Sequence, residues 1–160
     1  MGCDLLTSRG DVSYDRMILF APALTPRFLH QRFRYFLPFK TIVIPSRSPR
    51  QYRANHGTPV SAYIALLDAV DHFKRFVSNK LNIPTAVFIN EKDELVSYSR
   101  LNTFVKKFGL DLWQTHGFRK SRLRSVTRYN HLMIDEGSAG SKEWQSLRAL
   151  INDHLQSCLK

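Results

Sequence analysis

The chain has 160 residues, of which 43% are apolar and 23% are charged, and its formal net charge is +11 at pH 7. This length and apolar content are typical of one globular domain that buries roughly 70% of the surface its unfolded chain exposes, and they exclude an intrinsically disordered protein. No apolar run approaches the roughly 20 residues of a membrane helix, and the first residues lack the basic and apolar regions of a signal peptide, so no integral membrane protein is expected.

The cysteine content argues against a disulfide framework and against a zinc site. Cys3 and Cys158 lie at opposite ends of the chain, and no Cys/His spacing of the kind that binds zinc is present. We therefore expect a reducing, cytoplasmic location and no metal or cofactor.

The first predicted strand is MILFAP, Met17 to Pro22. A short continuous apolar run is typical of a parallel strand that is covered on both faces. The preceding MGCDLLTS has the character of a helix, and the neighbours that such a strand needs are hard to find elsewhere in the chain.

Residues 26–60 form a predicted insertion that contains aromatic residues, prolines and arginines without a sustained period. An insertion of this length between a strand and the next helix is typical of a lid or a binding element. Five aromatic side chains are candidates for lining an apolar substrate pocket, or alternatively for anchoring the insertion to the body: Phe28, Phe33, Tyr35, Phe36 and Phe39.

A long helix is predicted after the insertion, with Thr58 as its N-cap and Pro59 at its first helical position. Its expected buried face consists of apolar side chains at helical spacing: Tyr63, Leu66, Leu67, Val70, Phe73 and Val77.

The next segments predict a strand, a helix and another strand. The strands are TAVFIN at residues 85–90 and the weaker LWQTHGF at residues 112–118. Ser97 is a candidate N-cap and Gly109 a candidate C-cap for the helix between them, whose apolar positions are Leu101, Phe104, Val105 and Phe108. This order predicts a right-handed parallel crossover, and hence an α/β fold with about three parallel strands.

A closing amphipathic helix is predicted in SKEWQSLRALINDHLQSCL. Its apolar stripe contains Trp144, Leu147, Leu150, Ile151 and Leu155.

Candidate functional residues follow the last two strands. Glu91, Asp93 and Glu94 come directly after TAVFIN, and His131 lies in RYNHLMIDE beyond the third strand. Ligands gather beyond the carboxyl ends of parallel strands, where an Asp can hydrogen-bond a His and fix its tautomer. Taken singly, the Asp is also explained as a turn residue and the His as a core residue; the pair in this order favours acid–base chemistry.

The order of FINEKDELVS, helix, strand, YNHLMIDEGSAGSKEW and a closing helix resembles the C-terminal half of the α/β-hydrolase superfamily, and within it the serine esterases and monoacylglycerol-lipase-like enzymes. The resemblance covers nearly the whole chain, and residues 26–60 match only as a lid of variable sequence. It implies a single, incomplete α/β-hydrolase domain over residues 1–160, with the last three strands of its sheet. It also implies a Ser, Asp, His triad in that chain order, with Asp93 as the acid and His131 as the base.

In this resemblance, MGCDLLTS matches the end of a G-x-S-x-G nucleophile elbow and the helix that follows it. Met1 then follows the nucleophilic serine and supplies one backbone N–H of the oxyanion hole. The implied substrate is a small-molecule ester or a lipid, and these 160 residues alone are expected to be inactive. Three explanations stay open: a fragment of a longer esterase, a pseudoenzyme that binds without cleaving, or a chain that pairs with a separate N-terminal half.

The positive charge supports an alternative function, a non-catalytic protein that binds nucleic acid or an anionic membrane surface. The charge is concentrated in two stretches, one with Arg27, Arg32, Arg34, Lys40, Arg47, Arg50 and Arg53 and the other with Arg119, Lys120, Arg122, Arg124 and Arg128. No nucleic-acid-binding motif accompanies them, so nucleic acid is not the favoured partner. Gly2 and Cys3 suit a double lipid anchor, but Leu6 occupies the position where the myristoylation motif needs Ser or Thr.

Overall fold

The computed structural model describes Cys3, Phe39 and residues 14–27, 41–46, 48–120 and 129–157. The strands are β1 (Met17–Phe20), β2 (Val43–Pro45), β3 (Gly57–Pro59), β4 (Thr85–Asn90) and β5 (Trp113–Phe118). The helices are α1 (Val60–Arg75), α2 (Tyr98–Lys107), α3 (Glu136–Ala139) and α4 (Ser141–Gln156), with 3₁₀ turns at Arg50–Tyr52 and Asn79–Leu81.

The main sheet is parallel, with the strand order β1-β4-β5. Met17 lies opposite Thr85 at the start of β1, and Thr85 lies opposite Trp113 at the start of β5. All six residues of β4 are buried, as expected for a central strand that is apolar on both faces. The predicted α/β architecture of three parallel strands with flanking helices is confirmed.

Two apolar cores lie on the two faces of this sheet because successive side chains of β4 alternate between them. Val87 and Ile89 pack on one face with residues of α1 and α2, which include Phe73 and Leu101. Ala86 and Phe88 pack on the other face with residues that include Met133, Ala139 and Leu147. The sheet is therefore covered on both sides.

Helix α2 has the predicted N-cap, Ser97, but its C-cap is Phe108 and not the predicted Gly109. The Ser97 side chain accepts a hydrogen bond from the Arg100 backbone N–H at 3.3 Å. The helix ends at Lys107, and Gly109 follows with φ of +60°, a left-handed conformation that glycine adopts without steric cost.

The predicted start of α1 is wrong by one residue. The helix begins at Val60, while Thr58 and Pro59 belong to β3, which pairs antiparallel with β2. Pro59 takes the N-cap position, and no side chain caps this end. Leu67, Val70 and Phe73 are buried as predicted, whereas Leu66 is 43% exposed.

Helix α4 confirms the predicted closing helix but buries less of it than expected. Leu147 is fully buried, and Trp144, Leu150 and Ile151 pack partly against the same core. Leu155 lies near the end of the helix and is 51% exposed. In the part of the chain that the structure describes, no helix is long and apolar enough to cross a membrane.

Candidate acid–base site

The Asp93 carboxylate lies in the tight loop that follows β4. The loop begins with a turn in which the Asp93 backbone N–H donates to the Asn90 carbonyl at 2.9 Å. The side chain of Asp93 is fully buried, and its Oδ1 accepts hydrogen bonds from the backbone N–H groups of Leu95 at 2.7 Å and Val96 at 2.8 Å. One carboxylate oxygen therefore organises its own loop, and the other is left for a partner.

That partner is His131. Its Nδ1 lies 2.8 Å from Asp93 Oδ2, although the two residues are 38 positions apart in the chain. The imidazole is 37% exposed, so one side contacts the buried carboxylate and the other can reach solvent or a ligand. With Nδ1 donating to Asp93, the neutral ring keeps Nε2 as a proton acceptor, which is the tautomer that a general base needs.

The Asp93 loop is fastened to the segment that follows β1. The Ser97 backbone N–H donates to the Thr25 carbonyl at 2.9 Å, and the Arg27 backbone N–H donates to the Leu95 carbonyl at 2.8 Å. The Thr25 hydroxyl in addition donates to the Ser97 carbonyl at 3.1 Å. The Asp93 loop is therefore held in two ways: it follows β4 in the chain, and these hydrogen bonds join it to the segment after the neighbouring strand β1.

Two charged side chains form hydrogen bonds with the turn that carries His131. The Glu94 carboxylate accepts from the backbone N–H groups of Asn130 and His131 at 3.0 and 3.1 Å, and from the Asn130 amide at 2.7 Å. Lys120 Nζ donates to the carbonyl oxygens of Tyr129 at 3.0 Å and Leu132 at 3.3 Å. Sequence reasoning grouped Glu94 with the acidic loop and Lys120 with a basic stretch, and gave neither of them these contacts.

Asp135 connects the same region to the insertion. The Tyr52 hydroxyl donates to Asp135 Oδ1 at 2.9 Å, and the Ser138 backbone N–H donates to the same oxygen at 2.7 Å as Asp135 caps α3. Burial raises the pKa of Asp135, but hydrogen bonds from Ser138 and Tyr52 outweigh burial, so the pKa lies below its ordinary value. Part of the insertion thus contacts the helix that follows the His131 turn.

A cavity of about 120 Å³ lies beside His131. Ala21, directly after β1, has φ of +39°, a positive value that is uncommon for a residue other than glycine, and strain of this kind clusters at functional sites. The described residues that line the cavity are Phe20, Ala21, Phe88, Asn90, His131, Leu132, Met133 and Ile134. The lining is mostly apolar, and none of these residues is a Ser, Thr or Cys.

Of the five predicted aromatic pocket residues, only Phe39 lies within the described residues. Phe39 is 52% exposed and is absent from the described lining. Phe28, Phe33, Tyr35, Phe36 and the predicted oxyanion residue Met1 lie outside the described residues. The described lining includes Phe20 and Phe88, and their places near the carboxyl ends of two strands were the signal that could have identified them.

The comparisons with known proteins give no family. Neither a scan against protein families nor a search of curated proteins finds a match for this chain. Among the described residues, no group of three or more His, Cys, Asp or Glu side chains is arranged to hold a metal ion.

Proposed function

We propose that Asp93 and His131 are the acid and base of a carboxylic-ester hydrolase that uses a serine nucleophile, and that this serine lies outside these 160 residues. The observation that carries the proposal is the 2.8 Å contact between a fully buried carboxylate and a part-exposed imidazole. Such a pair holds the imidazole in one tautomer and stabilises the imidazolium that forms when the ring accepts a proton.

The topology supports the proposal. Asp93 follows the central strand β4, and His131 comes after the edge strand β5, in a parallel sheet of order β1-β4-β5. This is the arrangement that the resemblance to α/β-hydrolases implies for the last three strands of the sheet, with the acid before the base in the chain. The insertion between β1 and α1 stands where that resemblance implies a lid.

In the proposed reaction, the serine hydroxyl attacks the ester carbonyl while His131 Nε2 accepts its proton. The tetrahedral intermediate then collapses, the C–O bond to the alcohol breaks, and the imidazolium returns the proton to the departing alkoxide. Water repeats the sequence on the acyl-enzyme, with His131 again as the base, and releases the carboxylic acid. Asp93 keeps the Nδ1 proton throughout and stabilises the positive charge on the ring. Backbone N–H groups, with that of Met1 as one proposed donor, hold the oxyanion.

The cavity beside His131 favours uncharged esters. Phe20, Phe88 and Met133 give it an apolar wall, and Asn90 and His131 are its polar members. Desolvating a charged substrate group against this wall is unfavourable because no charged lining residue other than a protonated His131 compensates among those described.

The test uses the polypeptide that contains these residues as its natural source makes it. We expect it to hydrolyse p-nitrophenyl butyrate and to react with a fluorophosphonate at a serine that mass spectrometry locates outside the 160 residues. His131→Ala should lower the hydrolysis rate by at least about 10³-fold, because the serine loses its general base. The matched variant His56→Ala, an exposed histidine of the insertion, should keep the full rate.

Two outcomes contradict the proposal. One is full esterase activity in the His131→Ala variant. The other is the absence of both ester hydrolysis and fluorophosphonate labelling in the natural polypeptide, which would favour a binding function.

A further inference from the structure

We propose that Glu94 and Lys120 clamp the turn of residues 129–132 and are positioning residues for His131. The inference rests on the proposed function and deepens it, because it assigns roles to two charged side chains that are not members of the acid–base pair. We refer to the two side chains and their bonds to this turn as the turn clamp.

Glu94 holds the N–H side of the turn. Both of its carboxylate oxygens lie 3.0 Å from the Asn130 backbone nitrogen, and Oε2 also accepts from the His131 backbone N–H at 3.1 Å. The Asn130 side-chain amide adds a further bond to Oε1 at 2.7 Å. A carboxylate has enough lone pairs to accept all of these bonds at once, and hydrogen bonds to an ionised acceptor are the stronger kind.

Lys120 holds the carbonyl side of the same turn. Its ammonium donates to the carbonyls of Tyr129 and Leu132, which flank the two residues bound by Glu94. Burial lowers the pKa of Lys120, and the negative charges of Glu94 and Asp135 oppose that effect. The anion and the cation therefore bind opposite ends of the peptide dipoles in one short turn, and their charges also attract each other.

Asp93 and Glu94 are consecutive residues, and this adjacency connects the turn clamp to the acid–base pair. Asp93 binds the ring of His131 and Glu94 binds its backbone N–H. The side chain and the backbone of His131 are therefore both held by the same loop. His131 itself lies in no helix or strand, and its position depends on such contacts. A displacement of about 1 Å at a reacting group can lower the rate roughly 10²-fold. Contacts that fix the backbone of His131 therefore preserve the rate of the proposed reaction.

The test measures the hydrogen bond between His131 and Asp93 by NMR and does not depend on enzyme activity. In the protein labelled with ¹⁵N, NMR records the His131 Nδ1–H resonance of the bond to Asp93 and its rate of exchange with water. We expect the exchange of this proton with water to become about tenfold faster in Glu94→Ala. The turn of residues 129–132 loses its hydrogen bonds to Glu94, so His131 moves away from Asp93 more often. Glu94→Gln, which keeps one acceptor oxygen, should give a smaller increase, and Lys120→Met an increase in the same direction.

Glu91→Ala is the matched control. Glu91 lies on the same loop, but its carboxylate binds Arg119 at 2.6 Å and forms no described hydrogen bond to the turn, so its removal should leave the His131 resonance unchanged. Amide exchange in β4 checks that each variant is folded. If Glu94→Ala does not fold, Glu94→Gln and Lys120→Met decide the question.

Two results overturn the inference in distinguishable ways. An unchanged His131 exchange rate in folded Glu94 and Lys120 variants refutes the turn clamp and leaves the proposed acid–base pair intact. Absence of an Nδ1–H resonance in the unmodified protein contradicts the pair itself, and with it both proposals.

Discussion

The Asp93 side chain forms hydrogen bonds both within its own loop and with a residue distant in the chain. Its Oδ1 satisfies two backbone N–H groups and its Oδ2 contacts His131. The sequence predicted this pair because each residue follows a strand of the same sheet, which brings them to one edge. It did not predict the contacts of Glu94, since nothing local in the sequence shows which turn a surface carboxylate will meet.

Removal of the Asp93 carboxylate should destabilise the protein even where activity is not measured. Asp93→Ala removes the acceptor of the buried Val96 N–H, of the part-buried Leu95 N–H and of His131, and an unsatisfied buried group costs about 1–3 kcal/mol. We expect the free energy of unfolding to fall by about 3 kcal/mol in urea denaturation. Asp111→Ala, at an exposed aspartate, should stay within about 0.5 kcal/mol of the unmodified protein. A loss equal to that of Asp111→Ala would show that these hydrogen bonds do not stabilise the loop.

The helices and strands with a clear pattern of apolar residues and clear end residues were predicted from the sequence. The two short strands that depend on pairing with each other were not. Strand β4 has the predicted bounds, and α2 has the predicted N-cap and a C-cap one residue before the predicted one. The hairpin of β2 and β3 was missed because each strand has three residues and ends in a proline, which is a weak strand signal. The same pairing explains the late start of α1, since Thr58 and Pro59 are drawn into β3 before the helix begins.

Gly109 offers a direct measure of what backbone conformation contributes at the end of α2. A Cβ added there meets no atom within 4 Å, so the cost of Gly109→Ala arises from the φ of +60° alone. We expect a loss of about 1–2 kcal/mol in the free energy of unfolding, measured by urea denaturation. Gly109→Asn should lose less, because asparagine tolerates the left-handed conformation better. Equal losses for Ala and Asn would argue against this conformational explanation.

For the whole molecule, the three parallel strands and the helices on both faces of the sheet were predicted from the alternation of strands and helices, but the contact of the insertion with the body was not. Its contact with the body, from Tyr52 to Asp135, joins residues 83 positions apart and has no local pattern. The histidines packed around the sheet were equally hard to foresee, because their environment depends on α4. His116 on β5 stacks on Phe88 with ring centroids 5.1 Å apart.

The protein should lose stability in mild acid. Burial lowers the pKa of His116, and His154 lowers it further; burial also lowers the pKa of His154, and Arg16 adds to that shift. Both folded-state values lie below the ordinary 6.5, so the unfolded chain binds more protons as pH falls below that value, and folding becomes less favourable. Asp135, whose pKa is also lowered, loses its contribution only below its ordinary 3.8.

Urea denaturation at about pH 7.5 and about pH 5 measures this effect, and the midpoint should be lower at the acidic pH. His116→Gln and His154→Gln should each reduce the difference between the two midpoints. Asn152→Ala, at an exposed position of the same helix as His154, should keep the full difference. Equal midpoints at both pH values would contradict the proposed linkage.

The bonds between residues 25–27 and the Asp93 loop also bear on how the protein can be re-engineered. Residues 25–27, where the insertion begins, are hydrogen-bonded to that loop, and α1 begins where the insertion ends. We therefore expect that the segment between Arg27 and α1 can be exchanged as a module for other insertions, while the hydrogen bonds that hold Asp93 are kept. A graft would need to reproduce the Tyr52 contact with Asp135, which docks the module beside the helix that follows the His131 turn.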